Sequence, residues 1–170
     1  MTNDRKTQLE KLLKKNKIKQ AKIQLVDDLK NYHEIDISNK AFAEYQLSEE
    51  AHNKIYDRIK TGKIKTLKFP YDEDTIISKI DFIFNYYKDY VKEIVLFYPS
   101  TFGFYSRSSN QLYLEYPIAL TLPLLECKNI IMKLMLEMHD DLVVVSEELN
   151  FGFVFSEDEY SDVTIEYWGK

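Results

Sequence analysis

Three strand-like segments follow one another near the end of the sequence, and they constrain the fold more than any other feature. They are LVVVS (142–146), FGFVFS (151–156) and VTIEYW (163–168), and short polar turns separate them. Connections this short join antiparallel strands, because a parallel crossover needs a dozen or more residues. The sequence therefore predicts an antiparallel sheet.

Helical patterns stand in groups beside the strands and do not alternate with them one by one. Apolar residues recur at helical spacing over 4–31, which predicts one helix or two helices broken near Asn16. Similar patterns predict helices over 48–61, 72–91 and 123–138. Such grouping is typical of the α+β class. We predict an α+β fold with an antiparallel sheet of about five to six strands and about three to four helices.

Local signals place the ends of these helices. Ser48 is the expected N-cap of the second helix, because its hydroxyl can accept a backbone N–H from the first turn. The third helix is expected to begin at Asp72 or Asp74. Pro123 is expected in the first turn of the last helix, with Thr121 as its cap, since proline lacks the N–H that would be unpaired there.

The third helix is predicted to be the central and best buried one, because its apolar face is wide. That face carries Ile76, Ile80, Ile83, Tyr87 and Tyr90, flanked by Ile77, Phe84 and Val91. Four more segments read as strands: KIKTLKF (63–69), EIVLFY (93–98), FYSRS (104–108) and QLYLEY (111–116). The first suits a sheet edge because it bears lysines, and the other three are expected to form a meander.

The composition fits one globular domain in a reducing compartment. The chain has 170 residues, 45% of them apolar, which is enough to bury a core. Its single cysteine, Cys127, cannot form an internal disulfide. The first residues lack the apolar run of a secretory signal, and no stretch is long and apolar enough to span a membrane. We expect a soluble cytoplasmic protein, with a single α+β domain over 1–170 that begins with a basic helical segment, 4–31.

Charge divides the chain into two poles. Residues 1–30 hold nine Lys or Arg and four Asp or Glu, although the whole chain has a net charge of -5. From Leu134 to Gly169 there are ten acidic residues and no Lys or Arg. We expect first that the two poles attract each other within the fold.

No catalytic or metal-binding motif is present. Cys127 lies among apolar residues of its helix, where burial raises the pKa of a thiol and suppresses its reactivity. His139, beside Asp140 and Asp141, is expected at a helix C-terminus, and no HExxH or paired Cys/His spacing surrounds it. We therefore predict no catalytic residue, no metal and no cofactor. A hydrolase with a carboxylate site that no motif marks remains the third hypothesis.

The basic segment KLLKKNKIKQAK (11–22) favours a different function. Its lysines, with tyrosines elsewhere for base stacking, suggest a small nucleic-acid-associated or regulatory protein. Only three arginines are present and the net charge is acidic, so a phosphate backbone would meet net repulsion. This is the second hypothesis.

Acids and aromatics are interleaved in VFSEDEYSDVTIEYW (154–168), which contains no basic residue. Carboxylates steer a basic partner, and Tyr and Trp supply rigid contact area. In a strand, Val163, Ile165 and Tyr167 would face the core, which leaves Trp168 and Glu166 facing outward. The predicted partner-binding residues are Glu157, Asp158, Glu159, Tyr160, Asp162, Glu166 and Trp168.

The segment NFGFVFSEDEYSDVTIEYWGK (150–170) resembles, in type, the small cytoplasmic immunity proteins that bacteria pair with polymorphic or contact-dependent toxins. The resemblance implies a compact, acidic, Tyr-rich α+β domain that inhibits a toxin by direct stoichiometric binding. It implies a basic partner, often a nuclease toxin domain, and no enzymatic activity. The basic helical segment 4–31 departs from this type and would have to point away from such a partner.

Overall fold

In the part of the chain that the structure describes, seven strands form one antiparallel sheet and four α-helices pack against it. The computed structural model describes residues 2–99, 112–138, 141–158 and 160–169. The helices are α1 (Thr2–His33), α2 (Tyr45–Thr61), α3 (Glu73–Tyr86) and α4 (Leu124–Met138). The strands are β1 (Ala41–Phe42), β2 (Lys65–Pro70), β3 (Ile94–Tyr98), β4 (Leu120–Pro123), β5 (Leu142–Ser146), β6 (Gly152–Glu157) and β7 (Asp162–Trp168). The predicted α+β class is confirmed, with slightly more strands than expected.

The order of the strands is β1-β4-β3-β5-β6-β7-β2, and all neighbouring pairs are antiparallel. The three C-terminal strands pair in sequence, as their short turns predict. Strand β2 lies at the edge beside β7, with Lys65 opposite Tyr167 and Phe69 opposite Val163. Its exposed lysines and Pro70 suit an edge, because charged side chains and proline discourage pairing with another chain.

The sheet is covered on both faces, and this arrangement positions every surface discussed below. On one face, α1, α3 and α4 pack against side chains such as Phe97, Val144 and Phe153. On the other face, α2 packs against a smaller set of residues. That second cluster comprises Ala43, Ala51, Ile55, Leu96, Tyr98, Ala119, Val145 and Trp168.

Helix α3 begins where the sequence predicts and carries the predicted buried face, but it ends at Tyr86, and a 3-10 turn at Lys88–Tyr90 follows. Asp72 is its N-cap, and its carboxylate accepts the backbone N–H of Thr75 at 3.0 Å. Ile76, Ile80 and Ile83 are buried. The helix therefore forms the centre of the larger core, as expected from its wide stripe.

Two predicted helix starts are wrong. Helix α2 begins at Tyr45, so Ser48 lies one turn inside it, and the Ser48 hydroxyl donates back to the Glu44 carbonyl at 3.2 Å. Thr121 and Pro123 belong to β4, and α4 begins one residue later. Pairing of β4 with β3 accounts for the second error, because strand pairing is a tertiary interaction that a local capping signal does not report.

The predicted meander is only partly correct. Its first strand is β3, and FYSRS (104–108) lies outside the described residues. The third, QLYLEY, was expected as a strand but contains a single 3-10 turn at Leu112–Leu114. Contacts with α1 explain the difference. The Leu112 N–H donates to the Gln24 side chain at 2.9 Å, and the Tyr113 hydroxyl donates to the Asp28 carboxylate.

Helix α1 is continuous, without a break at Asn16. An asparagine inside a helix costs under about 1 kcal/mol relative to alanine, so it does not end one. Residues 3–17 are all exposed, and the first fully buried side chain in the described part of α1 is Ala21. None of the helices in the described part of the chain combines the length and apolarity that crossing a bilayer requires.

Replacing Ile83 by alanine should lower the free energy of unfolding by about 2–5 kcal/mol, because it removes buried methyl groups and leaves a cavity. Ser78→Ala, at an exposed position of the same helix, is the control and should change it by about 0.5 kcal/mol or less. Urea denaturation followed by circular dichroism measures both values. A loss below about 1 kcal/mol for Ile83→Ala would contradict its place in the core.

Candidate functional site

The turn between β6 and β7 is organised by Asp158. One carboxylate oxygen of Asp158 accepts the backbone N–H groups of Tyr160 and Asp162, each at 2.9 Å. The backbone N–H of Asp158 donates to the Asp162 carbonyl at 2.9 Å, and Ser161 closes the turn with a φ of 62°. The turn is therefore a fixed structure and not merely a polar connection.

The charges of this turn are partly balanced within the fold. The Lys68 ammonium of β2 lies 3.5 Å from the carboxylate of Asp158 and 3.9 Å from that of Asp162. The backbone N–H of Asp162 lowers the pKa of Asp158 most, and the N–H of Tyr160 and the charge of Lys68 lower it further. Asp158 is therefore ionised at neutral pH.

Tyr160 is the most exposed large side chain of the turn. Its ring is 79% exposed, while its backbone N–H is held by Asp158. Asp162 follows at the first position of β7 and is half-buried. We refer to Asp158, Tyr160 and Asp162 together as the acidic tip. It combines one exposed aromatic residue with two carboxylates of the same turn.

Glu157 faces a different environment from the acidic tip. It lies opposite Val163, so its side chain is half-buried on the face of the sheet that α1, α3 and α4 cover. Burial raises the pKa of the Tyr71 phenol, and the charge of Glu157 raises it further. The Tyr71 hydroxyl lies 3.0 Å from the carbonyl of Leu136 near the end of α4. Glu157 therefore lies near Tyr71, whose hydroxyl contacts α4.

The side chain of Trp168 was expected to be exposed to solvent, and this prediction is wrong. Its side chain is 1% exposed, and its indole N–H donates to the Leu149 carbonyl at 3.1 Å. Gly152 lies directly opposite, and a Cβ there would come within 2.8 Å of the indole ring. The strand alternation was predicted correctly, since Val163, Ile165 and Tyr167 are buried on the other face. The error arose because α2 covers the face of the sheet on which Trp168 lies.

The structure thus brings together only part of the predicted partner-binding set. Asp158, Tyr160 and Asp162 form the acidic tip, whereas Glu157 turns toward the helices. Glu166 is half-buried on the same face of the sheet as Trp168, opposite Thr66 of β2 and away from the turn. Glu159, a further member of the predicted set, is outside the described residues.

The described residues contain no group of three or more His, Cys, Asp or Glu side chains that could hold a metal ion. His139 and Asp140 lie outside them. Cys127 is buried, as predicted, and burial raises the pKa of its thiol. His33 lies 3.0 Å from the Glu137 carboxylate, as an exposed contact between α1 and α4.

Sequence reasoning missed a second surface, on α1. Leu9, Leu12, Leu13 and Ile23 are each between 50% and 56% exposed. We call these four residues the outer stripe. The spacing of apolar residues over 4–31 predicted the helix but not its faces, and a rotation of about 100° per residue places the centre of the outer stripe roughly opposite Leu25. A helical projection of the sequence would have separated the two faces.

The acidic tip and Lys22 of α1 lie near opposite edges of the sheet. Lys22 of α1 is 5.4 Å from the ring of Phe42 in β1, at one edge, whereas the acidic tip contacts Lys68 of β2, at the other. The charge of the acidic tip is therefore offset by Lys68 of β2 and not by the basic residues of α1. Lys14 of α1 instead lies 3.6 Å from Glu49 of α2.

No protein-family model, no curated protein and no solved structure matches this chain.

The fluorescence of Trp168, the single tryptophan, tests its burial. We expect emission at short wavelength and weak quenching by acrylamide in the folded protein, because water and quencher do not reach the indole. Unfolding in urea should shift the emission to longer wavelength and strengthen the quenching. Equal quenching before and after unfolding would contradict the buried position.

Proposed function

We propose that this protein acts without catalysis, by binding another protein in stoichiometric amounts, and that the acidic tip receives a basic partner. The observation that carries this proposal is the exposure of Tyr160, at 79%, in a turn whose backbone N–H groups are held by the Asp158 carboxylate. Tyrosines on protein surfaces contribute much binding energy at little cost in conformational entropy. The turn is already ordered by Asp158, so binding would not have to pay for ordering it.

The partner we propose is a bacterial toxin domain with a basic surface, such as a nuclease, and the protein would be its cytoplasmic immunity protein. Ten acidic residues and no Lys or Arg between Leu134 and Gly169 support a basic partner. Opposite charges raise the rate of encounter and select against acidic proteins. The resemblance of 150–170 to immunity proteins supports the class, and occlusion of the toxin's own binding site is the mechanism it favours.

Lys68 gives this proposal a specific electrostatic consequence. Its ammonium offsets part of the charge of Asp158 and Asp162 before any partner arrives. A basic partner would therefore compete with Lys68 for the same carboxylates. Surface ion pairs of this kind contribute at most about 1 kcal/mol, so that competition is easily won.

The proposal predicts a basic toxin domain encoded by a gene beside this one, and binding kinetics with that domain test the acidic tip. Tyr160→Ala should raise the dissociation rate about tenfold or more, with little effect on association. Lys68→Ala should raise the association rate severalfold and make it more sensitive to salt, because it leaves the tip more negative. Lys54→Ala on α2 makes the same change in net charge elsewhere and is the control. Binding that neither Tyr160→Ala nor Lys68→Ala alters would exclude the acidic tip as the interface.

A second candidate function is nucleic-acid binding by α1. Its supporting observation is the exposure of Lys11, Lys15 and Lys19 along one groove of about 640 Å³ beside Tyr45. Phosphate contacts of this kind weaken steeply as salt rises, because binding releases counterions. The net charge of -5 and the outer stripe, which has no counterpart on a phosphate backbone, favour the first candidate.

We expect no binding of fluorescently labelled single-stranded RNA or duplex DNA near physiological ionic strength, about 0.15 M, as measured by anisotropy. Weak binding at low salt should disappear when Lys11, Lys15 and Lys19 are replaced by glutamine. Tight binding at physiological salt that these replacements abolish would place nucleic acid before a basic protein as the partner.

A further inference from the structure

Helix α1 carries apolar side chains on two opposite faces, and only one of them packs against the body. Ala21, Leu25 and Leu29 are fully buried in the larger core. The centre of the outer stripe lies roughly opposite the centre of this buried face, since each residue advances the helix by about 100°. Its four side chains remain half or more exposed.

Three members of the outer stripe and two exposed amides together have the spacing of a helix–helix seam. Leu9, Leu13, Asn16, Gln20 and Ile23 follow one another at alternating intervals of four and three residues, and all five are exposed. This alternation keeps one line of side chains facing a partner helix, as the a and d positions of a coiled coil do. The two amides sit where buried polar residues fix the register of paired helices.

The charges beside the seam select the kind of partner. Between Arg5 and Lys22 there are eight Lys or Arg residues, and Glu10 is the single acid. A second copy of this chain would set lysines against lysines in either orientation, which disfavours pairing. A partner helix bearing carboxylates beside an apolar seam would meet opposite charge on both sides.

The neighbouring groove adds to this complementarity. It runs along α1 beside Tyr45, and Lys15, Lys19 and Lys22 line it around Leu12 and Ile18. Side chains of a helix lying on the outer stripe would reach these ammonium groups. Acidic side chains are the ones that the groove would attract.

We propose that the outer stripe of α1 is a docking site for an acidic amphipathic helix of a partner protein. The helix would bury its apolar face on Leu9, Leu12, Leu13 and Ile23 and direct its carboxylates to the flanking lysines. A lipid bilayer is disfavoured as the occupant because it would desolvate Asn16 and Gln20 without supplying hydrogen-bond partners. This site is separate from the acidic tip and does not depend on the function proposed for it.

A synthetic helical peptide of about four heptads tests the site, with leucine at both seam positions, one asparagine in the seam and glutamate at the flanking positions. Anisotropy of the labelled peptide, titrated with the full chain, should show binding that weakens with salt. Leu9→Gln with Leu13→Gln should weaken it about tenfold or more, while glutamine keeps the helix propensity of leucine. Leu125→Gln on α4, a leucine that is also 55% exposed, is the matched control and should have no effect.

Four outcomes would overturn the proposal. They are the absence of binding at high peptide concentration, equal binding by the double variant, and equal binding of a peptide with lysine in place of glutamate. The fourth is a different occupant, seen as dimers in analytical ultracentrifugation or as cosedimentation with phosphatidylserine vesicles that the double variant abolishes. Circular dichroism of each variant confirms that α1 remains helical.

Discussion

Burial of the sheet on both faces is the constraint on which the rest of the structure depends. At the end of β7 the side chain of Trp168 packs beneath α2. Its backbone carbonyl lies 2.7 Å from the hydroxyl of Tyr87, which is on the opposite face of the sheet. The same hydroxyl lies 2.8 Å from the carbonyl of Gly152. The adjacent ends of β6 and β7 are therefore tied to α3, and only glycine at 152 leaves room for the indole. The acidic tip projects from the other, less covered end of the same hairpin.

That asymmetry along one hairpin determines which acidic residues can meet a partner. Near Trp168 the strands are enclosed, and near Asp158 they end in a turn held by its own hydrogen bonds. Acids that look equivalent in sequence therefore differ in role, since Glu157 faces the helices while Asp158 orders the turn. Tyr160 is exposed because the turn, and not a contact of its own ring, fixes its backbone.

Sequence patterns predicted the parts of the fold that depend on local periodicity. The α3 stripe, the alternation of β7 and the edge position of β2 all follow from spacing and residue type within one segment. The errors share another origin, because they concern contacts between distant segments. Gln24 and Asp28 hold Leu112–Leu114 in a turn, β3 draws Thr121 into a strand, and α2 covers Trp168. For the same reason the sequence placed Asp158 and Asp162 at the turn but did not reveal the burial of Trp168.

The outer stripe raises a separate physical question, because its leucines contribute little buried area to the fold. Helix propensity does not require them, since lysine and glutamine stabilise an exposed helix about as well as leucine does. Each exposed leucine also costs solubility, which the surrounding lysines offset. Apolar side chains aligned at seam spacing on the face turned away from the core are therefore best explained by something outside the chain. The acidic tip lies at the opposite edge of the sheet, so the protein presents two surfaces of opposite charge. The acidic tip repels an acidic partner helix, and the lysines beside the outer stripe repel a basic partner.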